Sequence, residues 1–202
     1  MSLRLPAAAY RRQPHEAHYT PGHVTETLLE ALPLFRLGGY EAWEPAAGAG
    51  HVARVLAAHG WQVLATDLHP PARCVVPVAP LDFLTSAGPS GSHPLAIVTN
   101  PPYGPQSRLA LAFLAHALGL ANRRGGLVAL LLPFEFDAAG SRHELVGGHP
   151  AFAAKLTVAR RIRWLNLPQK KAGPMGHHSW FLWSFDPALR AAIRAAGMLR
   201  TL

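Results

Sequence analysis

The four residues Asn100-Pro101-Pro102-Tyr103 follow directly on an apolar run, Ala96–Thr99, that reads as a strand. The carboxyl end of a strand is where open α/β sheets hold their ligands. Two consecutive prolines stiffen the backbone there, so the Asn100 side chain and the neighbouring carbonyls are held facing a pocket. The Asn100 side-chain carbonyl and the Pro101 backbone carbonyl can both accept from one planar –NH2 group. Such a grip draws the nitrogen lone pair out of conjugation and aims it at an electrophile. Tyr103 adds a face on which a planar base or amide can stack. A plain Asn-Pro-Pro loop is the bland alternative, and it accounts less well for the strand before the motif and the Gly-rich turn upstream.

That turn is Glu44-Pro45-Ala46-Ala47-Gly48-Ala49-Gly50, between a strand-like and a helix-like segment. Glycines let the backbone approach a ligand closely, and a helix N-terminus offers N–H groups. Any tight strand-to-helix turn can use two glycines, so the residues that follow matter more. Asp67 ends the next strand nineteen residues after Gly48, where a carboxylate can accept from two ribose hydroxyls. Asp82 comes fifteen residues later, in Leu81-Asp82-Phe83-Leu84. It can accept from an adenine exocyclic amine, with Phe83 beside the ring. Position 53 is Ala53, so the full G-x-G-x-x-G dinucleotide pattern is absent, and no phosphate-binding lysine follows the loop. The set favours a nucleoside without a pyrophosphate, which points to S-adenosylmethionine.

These side chains need a scaffold. A helix is expected from Tyr19-Thr20-Pro21 towards Leu32, with Thr20 as N-cap and Pro21 at its first position. Tyr40–Pro45, Gln62–Thr66, Cys74–Val78, Ala96–Thr99 and Leu127–Leu132 read as strands, and His51–His59 and Ser107–Asn122 as helices. Fully apolar runs such as Leu127–Leu132 suit parallel strands covered on both faces. Ile162–Leu167 and Trp180–Phe185 read as a late antiparallel hairpin around a basic loop, Pro168–Ser179. Strands alternating with helices define an α/β domain.

On these residues the chain resembles the class I S-adenosylmethionine-dependent methyltransferases. Within them it is similar to the amino-methyltransferases with a (D/N/S)-P-P-(Y/F/W) motif, most of all those acting on adenine N6 in DNA. The resemblance rests on motifs within residues 19–135 and on topology beyond them. It implies a Rossmann-like seven-stranded mixed sheet flanked by helices, with a late antiparallel hairpin. It also implies that Glu44, Pro45, Ala46, Gly48 and Gly50 wrap the methionine part of the cofactor. By the same resemblance Asp67 and Leu68 hold the ribose, Asp82 and Phe83 the adenine, and Asn100, Pro101, Pro102 and Tyr103 the target amine, with Asn100 also bordering the cofactor. Tyr19, Thr20 and Pro21 resemble an upstream Thr-Pro element near the cofactor's methionine end. The chemistry implied is direct in-line displacement, in which positioning matters more than a strong base. A base within a duplex would have to be flipped out. Cytosine-C5 methylation is disfavoured, because the single cysteine, Cys74, follows Arg73 rather than a proline.

The resemblance divides the chain into an irregular arm over residues 1–18 and one methyltransferase domain over 19–202. Only 99 residues follow Tyr103, so no separate target-recognition domain is expected. Substrate choice then falls to loops: Phe134–Pro150, and the segment carrying Lys170, Lys171, His177 and His178.

Residues 1–150 hold equal numbers of acidic and basic residues, so the formal charge of +8 resides in the last quarter of the chain. A one-sided positive field suits nucleic acid, DNA ahead of RNA, although a solvated basic terminus would give the same count. One cysteine excludes a disulfide framework and fits a reducing cytoplasm. No apolar run is long enough to span a membrane, and the start lacks the apolar region of a secretory signal. The twelve histidines show no metal-ligand spacing. Trp164, Trp180, Phe181 and Trp183 read as hairpin core, and Phe134 and Phe136 as core or pocket lining. Two alternatives remain within amine methylation: RNA adenine or guanine, and a protein glutamine amide. Outside enzymes, the alternative is a nucleic-acid-binding module with a relic cofactor pocket. Oligomeric state leaves no mark in the sequence.

Overall fold

The computed structural model describes residues 18–31, 39–159, 161–165 and 176–195. Its helices are α1 (Gly22–Ala31), α2 (His51–Ala58), α3 (Arg108–Asn122) and α4 (Pro187–Ala195). Its strands are β1 (Glu41–Glu44), β2 (Gln62–Asp67), β3 (Ala79–Pro80), β4 (Leu95–Thr99), β5 (Leu127–Pro133), β6 (Phe152–Thr157) and β7 (His178–Ser184). They form one seven-stranded sheet in the order β3-β2-β1-β4-β5-β7-β6. Pairing is parallel from β3 through β5, and β7 runs antiparallel to both β5 and β6.

The two-residue period of each central strand divides its side chains between two cores. On β5, Leu127, Ala129 and Leu131 enter one core while Val128, Leu130 and Leu132 enter the other. On β7, Trp180 and Leu182 face the first, and Phe181 and Trp183 the second. Val24 and Leu28 of α1, Val52 and Leu56 of α2 and Ile193 of α4 close the first core. The second is closed by Ala110, Phe113, Leu114, Ala117, Leu118, Leu120 and Ala121 of α3. Burial on both faces explains why β4 and β5 are apolar throughout rather than alternating.

The sheet departs from the sequence expectation at both ends. Cys74–Val78 is not a strand; β3 is only Ala79–Pro80, because Val75 N–H turns away to donate to the Ala49 carbonyl at 2.8 Å. The first arm of the late hairpin is β6, Phe152–Thr157, rather than Ile162–Leu167. Residues 161–165 are outside the sheet, and Leu165 N–H donates instead to the Tyr19 carbonyl at 3.1 Å. Helix α1 begins at Gly22, and the Thr20 hydroxyl is bound to Asn100 rather than to the first turn. Lys170 and Lys171 lie outside the described residues.

The order of strands fixes where a ligand can enter. From β1 the chain winds outward through β2 and β3, then returns to β4 on the other side of β1. Their connections leave in opposite directions, which opens a crevice beyond the carboxyl ends of β1 and β4. Glu44 ends β1, and Asn100 follows the last residue of β4.

Candidate active site

Beyond those strand ends lie two cavities that share Ala46 and Pro102. The larger, of about 240 Å³, is lined by His18, Tyr19, Thr20, Glu44, Gly48, His51 and the whole Asn100–Tyr103 motif, among others. The smaller, of about 60 Å³, is lined by Pro45, Asp67, Leu68, Asp82 and Phe83, with Leu109 and Phe113 of α3 as a wall. The structure thus brings the upstream Thr, the Gly-rich turn and the Asn-Pro-Pro-Tyr motif to one chamber, and the two aspartates to its neighbour.

The turn between β1 and α2 is shaped by its glycines. Gly50 caps α2 at φ 85°, a left-handed conformation, and a methyl group there would collide with the Val76 side chain. Gly48, at φ 53°, lets the Tyr19 ring approach so closely that a Cβ would sit 3.0 Å from its Cε1. Neither Gly50 nor Pro21 lines either of these two cavities. The turn is then held by two buried carboxylates. Gly48 N–H donates to Asp67 Oδ2 at 2.8 Å, and His69 N–H donates to Oδ1 at 2.9 Å. Ala53 N–H, in the first turn of α2, donates to Glu44 Oε2 at 2.7 Å.

Burial pushes the Glu44 carboxyl well above the usual carboxylate range; the Ala53 N–H opposes that shift, and the charge of Asp67 adds to it. A cation arriving beside Glu44 would reverse its burial penalty. His51, at the start of α2, has a buried Nδ1 without a hydrogen-bond partner among the described residues. Desolvation holds its pKa down, with Arg54 adding to the effect. Asp82 accepts from Leu84 N–H through Oδ1 at 3.0 Å. Phe83 lines the smaller cavity but is only 2% exposed. Its ring is packed among Trp43, Phe113 and His116, so it serves as floor rather than as a free stacking plate.

Asn100 is tied down on every side. Its Nδ2 donates to the His18 carbonyl at 3.2 Å and to Thr20 Oγ1 at 3.1 Å. Its Oδ1 accepts from the Tyr103 hydroxyl at 2.9 Å, and the Leu131 carbonyl offers that hydroxyl a second acceptor at 3.3 Å. Burial pushes the Tyr103 hydroxyl far above its ordinary value, so it stays a neutral donor. The Tyr103 ring is stacked against His178, with centroids 6.0 Å apart. One face of the ring expected to receive a planar group is therefore already covered.

His178 is buried and its pKa is held down to about 4, chiefly by desolvation, while its neighbour His177 is exposed. Neither lines the cavities. A ladder of rings continues from Tyr103 through His178 to Trp164, edge-on at 5.2 Å, and on to His18, stacked at 5.1 Å. Trp164, Trp180, Phe181 and Trp183 are all core, as is Phe136. Phe134 is exposed, under the Lys155 ammonium at 4.1 Å. Sequence reading missed His18 and His51. The only signal for His51 was its place directly after Gly50, and His18 had none.

Among the described residues no cluster of His, Cys, Asp or Glu is arranged to hold a metal ion, and no helix is long and apolar enough to cross a membrane. No family model matches the chain, and no curated protein matches it. Solved structures do. A protein of Pyrococcus horikoshii provisionally named an RNA methyltransferase is 17% identical, covering 90% of this chain and 92% of that one at a TM-score of 0.63. A Listeria monocytogenes protein provisionally named a class I S-adenosylmethionine-dependent methyltransferase is 14% identical, covering 87% of this chain and 62% of that one at 0.54. A third, from work on conversion of a disulfide bond into a thioacetal group during echinomycin biosynthesis, is 15% identical, covering 95% and 92% at 0.51. The fold is the Rossmann-like fold of class I methyltransferases. Its bearers differ in what they act on, so the substrate must be argued from the site.

Proposed function

We propose that the chain is an S-adenosylmethionine-dependent methyltransferase acting on an exocyclic amino group of nucleic acid, with adenine N6 in DNA as the first candidate. The observation that carries this reading is the junction of the two cavities. Pro102 belongs to both, so the amide of Asn100 stands at one end of a slot whose other end carries Asp67 and Asp82. The residues fit such a cofactor: Asp82 and Asp67 for the nucleoside, the Gly48 turn for close approach, and Glu44 for an ammonium group. S-adenosylmethionine, when bound, supplies an electrophilic sulfonium methyl.

The chain's own part is positioning. Asn100 Oδ1 and the Pro101 carbonyl accept from the target –NH2 and so orient its lone pair for displacement. The Tyr103 hydroxyl, which occupies Oδ1 in the free protein, has the Leu131 carbonyl to turn to. The proton shed by the nitrogen passes to water, since neither neutral His178 nor neutral Tyr103 is a base of useful strength near pH 7.

Support for a polyanionic substrate comes from residues 161–165. Arg161 and Arg163 are exposed while Ile162 and Trp164 between and beside them are buried. The same segment is bonded to Tyr19 at the rim of the larger cavity. A strand of nucleic acid crossing that rim would meet both guanidinium groups. RNA is the second reading, favoured by the name of the Pyrococcus protein. Transfer of labelled methyl from S-adenosylmethionine to DNA, to RNA and to protein, followed by nucleoside digestion, tests the proposal. Label in N6-methyladenine that vanishes in Asn100→Ala is the expected result. Full transfer by Asn100→Ala, or label confined to protein, would overturn it.

A further inference from the structure

We propose that Thr20 is a positioning residue that, together with the His18 carbonyl, holds the Asn100 amide with its oxygen free for the target. This inference rests on the amine-methylation reading and adds a specificity device to it. An Asn side chain presents two donors on one side and an acceptor on the other, and a half-turn about its terminal bond exchanges them. With the oxygen towards the target, the site grips an –NH2 group; with the nitrogen there, it would grip a carbonyl oxygen instead. The choice between an amino and an oxo base edge therefore depends on the orientation of one amide.

The surroundings make that choice. The His18 carbonyl, 3.2 Å from Nδ2, can only accept, so the amide end facing it must be the –NH2. The Thr20 hydroxyl, 3.1 Å from the same nitrogen, takes the second proton. Both N–H groups are thereby used by protein acceptors, and Oδ1 is left to Tyr103 and to the incoming amine. Thr20 is 4% exposed and Pro21 beside it is buried, so water does not readily replace its hydroxyl.

Thr20→Val keeps the shape and removes the acceptor, and Thr20→Ala is a second removal should the valine variant fold poorly. Each should lower kcat for methyl transfer about tenfold, the effect of one lost neutral hydrogen bond. Affinity for S-adenosylmethionine, measured by calorimetry, should stay within about twofold, and Thr20→Ser should restore turnover. In an Asn100→Ala background, read by melting temperature, the valine substitution should cost little further stability, because its effect runs through the missing amide. A readout independent of catalysis is exchange of the Asn100 side-chain amide protons by NMR, slow in the native protein and faster in both removal variants. Undiminished turnover with unchanged exchange in both variants would overturn the proposal, as would a full additional loss of thermal stability in the Asn100→Ala background. A fall in cofactor affinity equal to the fall in turnover would make Thr20 a cofactor ligand and overturn it too. If the native protein transfers no methyl group at all, the functional reading fails while the amide-exchange measurement still decides whether Thr20 holds the Asn100 –NH2 group.

Discussion

Replacing Asp67 with alanine removes the acceptor of two backbone N–H groups at once, and the two losses differ in weight. The His69 N–H lies at an exposed residue and can turn to water, so its loss costs little. Gly48 N–H is buried and its bond to Oδ2 is 2.8 Å long, with a charged acceptor. Losing a charge-assisted bond and stranding its donor costs about 2–3 kcal/mol, after part is returned by no longer burying a carboxylate. For a domain of this size that lowers the melting temperature by about 5–10 °C. If the same carboxylate also reads a ribose, affinity for S-adenosylmethionine should fall a further 10- to 100-fold, to the order expected of hydrogen bonds to a charged group. Asp67→Asn separates the two roles, since its one carbonyl can still serve Gly48 while its –NH2 turns to the His69 side. It should keep most of the thermal stability and still bind ligand weakly. Scanning calorimetry and titration of all three proteins give the answer. An unchanged melting temperature in Asp67→Ala would refute the claim that this carboxylate holds the Gly-rich turn, and unchanged affinity would refute its role as a ligand.

Three further perturbations follow from the same geometry. Glu44 keeps a proton in the folded state at pH values where the unfolded chain, with its ordinary value of 4.5, has released it, so its contribution to stability declines as pH rises above that value. Glu44→Gln has no proton to lose, and its melting temperature relative to the native protein should climb steadily with pH; a gap independent of pH would contradict the assignment. Tyr103→Phe removes a hydroxyl that burial keeps protonated, so it should cost about 1 kcal/mol in stability and leave the shape of the pH–rate profile unaltered. Loss of one limb of that profile would show the phenol acting as a base. Gly50→Ala forces a left-handed φ of 85° on a residue with a Cβ and drives that Cβ into Val76. It should destabilise the protein by about 1–3 kcal/mol and weaken S-adenosylmethionine binding, and calorimetry showing neither would mean that the turn tolerates a side chain.

Much of the parallel half of the sheet was legible because burial on two faces leaves a continuous apolar signature, as in Leu127–Leu132. The short β1 was legible for a different reason, the Gly-rich turn that must follow it. The late antiparallel hairpin is present, but its first arm lies earlier in the chain than periodicity suggests. Ile162 and Trp164 alternate with arginines as a half-buried strand would, and both are indeed buried, 1% and 4% exposed. Periodicity reports the environment of the side chains, though, and says nothing about which backbone lies alongside; here the neighbour is Tyr19 and not a strand. The actual edge strand, Phe-Ala-Ala-Lys-Leu-Thr, is weak in pattern because two alanines carry little hydrophobic contrast. At the site, residue types and spacing singled out Asn100, Asp67 and Asp82. They did not convey that both Asp67 oxygens are engaged by backbone, or that a histidine 78 positions beyond Asn100 covers the Tyr103 ring.

The place of β7 inside the sheet has a consequence for biosynthesis. It is the last strand to leave the ribosome among the described residues, yet it lies between β5 and β6, pairing with both. Until it is made, β5 presents an open edge of apolar residues and β6 has no neighbour at all. Trp180, on this same strand, donates its indole N–H to the Val24 carbonyl of the first helix across 156 positions of sequence. These two segments therefore meet only after β7 has been made. A nascent chain stopped short of His178 carries the whole Asn-Pro-Pro-Tyr motif but lacks the strand whose first residue backs Tyr103, so the pocket and the exposed sheet edge are completed by the same late event.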